Sequence, residues 1–205
     1  MSNRIDATAR RQELAEAVWR IIVRDGLSAV SVRAVAAEAG LATGSVRHFF
    51  PSQAELVSFA MTALADTVTQ RVRAAARTPD ASDRVLAMLV ELLPVTDRTL
   101  AEFTAYLDFM ERSRTDASLR PVARESVRAV RELVVTVLAD LRALGLLRPE
   151  VDVPAESVRL HAFVDGLTLQ LVVAPELVSR DEARGALERW LRELQGVAAT
   201  DGGRA

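Results

Sequence analysis

Leu14, Val18, Ile21 and Ile22 recur at the three-and-four spacing of an amphipathic helix, and Gly26 stops the run. Ser31 then caps a short helix that ends at Gly40, and a second short helix starts near Thr43. Pro51-Ser52-Gln53-Ala54-Glu55 is a strong start signal, with Ser52 and Glu55 spaced as a capping box. The helix it opens runs through Leu56, Ala60, Ala63, Leu64 and Val68 to about Arg77. Past Thr78-Pro79-Asp80 the helices lengthen and become more apolar. One spans about Ser82 to Leu93 and ends at Pro94; the next, about Asp97 to Arg112, carries Leu100, Phe103, Leu107 and Met110 on one side. The longest runs from about Leu119 to Leu144, with Val130, Leu133, Val134, Val137, Leu138 and Leu141 as its stripe and Gly145 as its stop. Two more follow, about Pro154 to Val173 and Arg180 to Leu194, the latter opened by a capping box of Ser179 and Glu182. No useful run of β-alternation interrupts this pattern. The expectation is an all-α protein of about nine helices, with a disordered tail at 198–205.

Composition narrows the class. With 50% hydrophobic residues in 205, the chain can bury a substantial core. No stretch of about 18 apolar residues lacks charge, and the polar start lacks the apolar run of a signal peptide, so a soluble cytoplasmic protein with no membrane partner is expected. The absence of cysteine rules out a disulfide framework and Cys-ligated zinc, and no cofactor or metal site is expected. A net charge of −2 argues against indiscriminate coating of nucleic acid, while leaving room for a small DNA-reading head. Residues 1–50 hold seven arginines against five acids, a weak tilt in that direction.

The informative stretch is Ser31 to Phe50, SVRAVAAEAGLATGSVRHFF. Two short helices joined by a tight turn must cross closely. Ala36 is small where they meet, and Gly40 sits where the backbone turns left-handed. Val35, Ala39, Leu41, Val46 and Phe49 hold the pair together, leaving Thr43, Gly44, Ser45, Arg47 and His48 on the outward face of the second helix. A helix fits the major groove, and arginine can bond a guanine edge at two atoms. Helices this short do not persist alone, so packing against the first helix must supply their stability.

Residues 8–68 resemble the DNA-binding domain of the tetracycline-repressor (TetR) family. Ser31, Ala39-Gly40, Gly44-Ser45-Val46, Phe50 and Ser52-Gln53-Ala54-Glu55-Leu56 carry the likeness, and Leu160 to Gln170 is similar to the penultimate helix of many members. The resemblance implies an N-terminal three-helix helix-turn-helix domain with its core at 31–50, and a C-terminal helical ligand-binding and dimerisation domain at 69–197. It implies a homodimer that binds a palindromic double-stranded operator and responds to a small-molecule inducer. It marks Ser31, Arg33 and Gln53 as phosphate contacts, and Thr43, Ser45, Arg47 and His48 as base-edge or mixed contacts. Three positions depart from the family's habit. Arg47 stands where tyrosine is frequent, Gln53 where lysine is frequent, and Ala42 where serine or threonine usually precedes the reading helix, so Thr43 is expected to take over the cap.

In the second half, Ala183, Leu187, Trp190, Leu191 and Leu194 form a stripe on the last helix that suits a dimer surface; the alternative is that it faces its own core. Phe59, Phe103, Tyr106, Phe109, Met110 and Phe163 either line an inducer pocket or belong to plain core. Few buried charges are expected, which favours an apolar or amphipathic ligand. Two other functions compete. A helical adaptor that binds only protein would show no preference among DNA sequences. An enzyme would have to use His161 and Asp165, four apart on one helix, without any nucleophile elbow or phosphate loop in the chain.

Overall fold

The computed structural model describes residues 2–195; the expected disordered tail at 198–205 lies outside the described residues. Within them the chain forms nine α-helices, one 3-10 turn and no strand. The helices are α1 (Ser2–Asp25), α2 (Val32–Glu38), α3 (Thr43–Phe49), α4 (Gln53–Ala75), α5 (Ala81–Val90), α6 (Asp97–Thr115), α7 (Arg120–Ala143), α8 (Val153–Val173) and α9 (Arg180–Gln195), with the 3-10 turn at Leu27–Ala29. None is long and apolar enough to cross a membrane.

Local chemistry sets most of these boundaries. Ser31 Oγ accepts from the Ala34 amide at 3.1 Å and opens α2. Gly40, at φ +67°, closes it: the Leu41 amide returns to the Ala36 carbonyl at 2.8 Å and the Gly40 amide to Ala37 at 3.2 Å. That paired return is a Schellman motif, and its left-handed residue is the place for glycine. Ser52 Oγ accepts from the Glu55 amide at 3.1 Å and donates to the Glu55 carboxylate. At α9 the box is fully reciprocal, because Glu182 also accepts from the Ser179 amide at 2.8 Å, and these bonds hold its carboxyl below the usual range.

Packing groups the chain into two compact units. The first takes the chain up to Thr67 together with Ala101–Ser126; the second takes Val68–Leu100 and the chain from Val127 onward. Segment 101–126 therefore joins the N-terminal unit, although its sequence position groups it with the C-terminal domain. The cause is burial: Ala105, Phe109, Leu119 and Ala123 enter the same cluster as Leu14, Val18 and Ile21 of α1, Val35 of α2, Val46 of α3, and Leu56 and Met61 of α4. Each large aliphatic or aromatic side chain removed from water in this way contributes about 1.5–3 kcal/mol. The second unit has its own core, built from Val85 and Leu89 of α5, Val134, Leu138 and Leu141 of α7, Leu160, Val164 and Leu171 of α8, and Leu187 and Leu191 of α9.

Candidate nucleic-acid interface

The short α3 is held by one face and free on the other. Val46 is 0% exposed and Phe50, which follows the helix, is also buried, whereas Thr43, Gly44, Ser45, Arg47 and His48 are all exposed. At about 100° per residue, Gly44 points most nearly opposite Val46 and Phe49, with Arg47 and His48 to either side. The exposed face therefore has a residue without a side chain at its centre. His48 is braced by Phe49, the two rings meeting edge to face with centroids 5.4 Å apart.

Thr43 does not cap this helix. Ala42 is the N-cap, in extended conformation, with no side-chain cap bond, and Thr43 is already the first helical residue. A cap must sit outside the helix to fold its oxygen back on the amides, which places Thr43 one residue too late.

The two helices are fixed to their surroundings by polar contacts as well as core. Glu38 at the end of α2 accepts from Arg20 Nε at 2.8 Å and from Arg24 Nη1 at 3.0 Å, both on α1. The hydrogen bond from Arg20, then that from Arg24, holds the Glu38 carboxyl below its usual range. Gln53 donates through Nε2 to the Val30 carbonyl, tying the start of α4 to the entry of α2. Phe50 and Phe59 pack with ring centroids 5.0 Å apart, joining the exit of α3 to α4.

Of the residues expected to hold phosphate, Ser31 is engaged as a cap acceptor but keeps its own hydroxyl proton, and Gln53 has one amide hydrogen committed inward. Arg33 is exposed, and neither it nor Arg47 enters an ion pair among the described residues.

The expected dimer surface needs correction. Leu187 is 0% exposed, Leu191 4% and Leu194 6%, all within the core of their own unit. Trp190 is half-buried against that core and donates from Nε1 to Glu156 Oε1 at 2.9 Å, which leaves it too with an intramolecular role. A side chain without surface cannot meet a partner. Spare apolar surface lies on α8 instead. Its inner face carries Leu160, Val164, Leu167 and Leu171, while Val158, Leu169 and Val173 stand outward, followed by Leu177 at 73% exposure. The one-sided stripe of α9 has only enough apolar surface for its own core, whereas α8 is apolar on two faces.

The six aromatic and Met positions considered for an inducer pocket divide between the units. Phe59, Tyr106 and Met110 pack against the first core, of which Phe109, at 0% exposure, is part; Phe103 meets Tyr106 edge to face at 6.4 Å. Phe163 packs against the second core. The His161 and Asp165 pair is 3.6 Å apart from Nε2 to Oδ2, an ion-pair distance just beyond that of a hydrogen bond.

Two short helices set at a glycine-stopped turn, one of them with a polar face turned outward, define a helix-turn-helix DNA-binding protein. Residues 14–58 match the family described as bacterial regulatory proteins of the tetR family, and residues 81–196 match the BetI-type transcriptional repressor C-terminal family. The chain is 33% identical over 196 residues to the HTH-type transcriptional regulator PksA of Bacillus subtilis, covering 95% of this chain and 94% of that one. It is similar to a transcriptional regulator from Rhodococcus sp. RHA1, with TM-score 0.75 and 28% identity over 90% of this chain and 95% of the other. A regulator from Saccharomonospora viridis, solved in complex with choline, shares the fold with TM-score 0.80 and 22% identity over 90% and 96%. The chain belongs to the TetR family and is a DNA-binding transcriptional regulator.

Proposed function

We propose that the protein is a ligand-responsive repressor that binds a palindromic operator as a homodimer in the cytoplasm. The observation that carries this reading is the exposed polar face of α3, Thr43, Gly44, Ser45, Arg47 and His48, on a helix whose other face is locked by Val46. Each protomer lays α3 into the major groove of one half-site, and the two half-sites lie one helical turn apart or a multiple of it, about 34–36 Å per turn. Arg47 and His48 read base edges together with Thr43 and Ser45, while Ser31, Arg33 and Gln53 hold phosphates and set the register.

The exposed side of α8, Val158, Ala162, Leu169 and Val173, is the surface that a second copy covers. Four of the large hydrophobic residues left in water lie between Val158 and Leu177, a concentration that an isologous helix pair would bury. An apolar or amphipathic inducer acts through linkage: if it favours a head separation that does not fit the operator, it lowers DNA affinity, and DNA lowers its affinity by the same factor. Helix α4 runs unbroken from Gln53 to Ala75 and is the expected lever.

Selection of bound duplexes from a random pool tests the reading. Enrichment of a two-fold symmetric site supports it. Binding without sequence preference, as a protein-binding adaptor would show, overturns it.

A further inference from the structure

The outward face of α8 is not wholly apolar. Between Val158 and Ala162 on one side in sequence and Leu169 and Val173 on the other lies Asp165, an exposed carboxylate near the middle of the stripe. The other exposed ionic group along this stretch, Arg159, is paired with Glu156 at 3.0 Å. Asp165 has no such close partner. Its nearest opposite charge on its own helix is His161, whose Nε2 is 3.6 Å from Oδ2, and the other facing it is Arg131 on α7. His161 is 5% exposed, and its second ring nitrogen, Nδ1, is buried without a hydrogen-bond partner.

In an isologous pair, a residue near the midpoint of the self-pairing stripe lies near the two-fold axis and faces its own copy. We propose that the Asp165 carboxylates of two protomers meet at that axis and make dimerisation proton-linked, the dimer holding a proton that the separate chains release. This rests on the homodimer through α8 put forward above.

The physical steps are short. Desolvation by the surrounding protein already pushes the Asp165 carboxyl up, against the opposing pull of His161 and Arg131. A second carboxylate brought to the axis pushes the same way, and the covering apolar stripe removes more water. A proton taken from solvent and shared between the two Asp165 carboxylates relieves the repulsion. The dimer therefore binds more protons than two monomers, and its affinity must rise as pH falls and decline as pH rises through the range in which the two carboxylates titrate.

Sedimentation of the full chain between about pH 5 and pH 8 tests this, read as the dissociation constant or, for a very tight dimer, as the rate of subunit exchange. The expected wild-type dependence is up to about tenfold weakening per pH unit for each proton released. Asp165→Asn keeps shape and removes the charge, so its dimer should show a flat profile and be tighter than wild type at the alkaline end. An unchanged pH slope in Asp165→Asn, or a weaker dimer at pH 8, overturns the proposal. Leu169→Asp separates the two readings. If it leaves the dimer intact, the α8 interface falls and the proton linkage with it. If it splits the dimer while Asp165→Asn keeps the wild-type slope, only the linkage falls.

Discussion

Gln53 at the start of α4 donates from its side-chain Nε2 to the backbone carbonyl of Val30, which lies immediately before the Ser31 cap of α2. A position that resembles a phosphate contact is thus also a strut inside the DNA-binding unit. Its amide has two hydrogens, so one can hold Val30 while the other reaches outward. What it lacks is charge.

Two substitutions separate those roles. Gln53→Ala leaves the Val30 carbonyl without its partner and should cost about 1 kcal/mol, a fall in Tm of about 2–4 °C for a chain of this size. Gln53→Lys adds a cation facing the backbone of the operator, and the slope of log affinity against log salt should steepen by about 0.9. Thermal unfolding and a salt titration read the two effects. An unchanged Tm in Gln53→Ala, combined with weaker DNA binding, would reassign the residue wholly to phosphate.

Gly44 offers a cleaner division between folding and binding. A methyl group built there meets nothing within 4 Å in the free protein, and its backbone is not left-handed. Alanine is also the better helix former. Gly44→Ala should therefore leave Tm unchanged or higher. On the operator the same methyl sits at the centre of the reading face, where the backbone must come closest to the base pairs, and affinity should fall at least about tenfold, or 1.4 kcal/mol. Retained affinity would place the centre of readout elsewhere on the helix.

The parts of this architecture that were legible in sequence are those fixed by local chemistry. Ser31, Gly40, Ser52 with Glu55 and Ser179 with Glu182 mark helix ends because their hydrogen bonds span only a few residues. The polar face of α3 was legible for the same reason, since Val46 and Phe49 define its inside by spacing alone. Thr43 failed as a cap by a single residue, a distinction set by backbone angles. Destination was harder to read than pattern. The stripe of Leu187, Leu191 and Leu194 was visible, but periodicity says which face is apolar and not what covers it. Likewise Phe109 read equally as pocket wall or plain core, and only tertiary packing placed it in the core with α1.

Leu169 and Leu187 test that distinction side by side. Leu187 is 0% exposed, so Leu187→Ala should open a cavity, cost about 2–5 kcal/mol and lower Tm sharply. Leu169 is 51% exposed, so Leu169→Asp should leave the isolated fold nearly intact and convert the dimer to monomer. Light scattering and thermal unfolding on both variants give the comparison. A dimer that survives Leu169→Asp but is lost, without unfolding, in Leu187→Ala would return the interface to α9.

Glu38 supplies a pH dependence whose sign is fixed by its neighbours. Arg20 and Arg24 hydrogen-bond the carboxylate in the folded protein and lower its proton affinity there. The native state therefore binds fewer protons at this site than the unfolded chain. The stabilisation is fully present above the unfolded carboxyl range, near pH 4.3, and is lost as pH falls through the lower folded value. Glu38→Gln keeps the size and removes the charge. Its urea midpoint should lie below wild type at pH 7, and the gap should close on acidification below about pH 4. The network is at the surface, so about 1 M salt, with a screening length near 3 Å, should narrow the gap as well. A gap that persists unchanged at acid pH would mean that Glu38 holds α2 to α1 through shape or neutral hydrogen bonding and not through its charge.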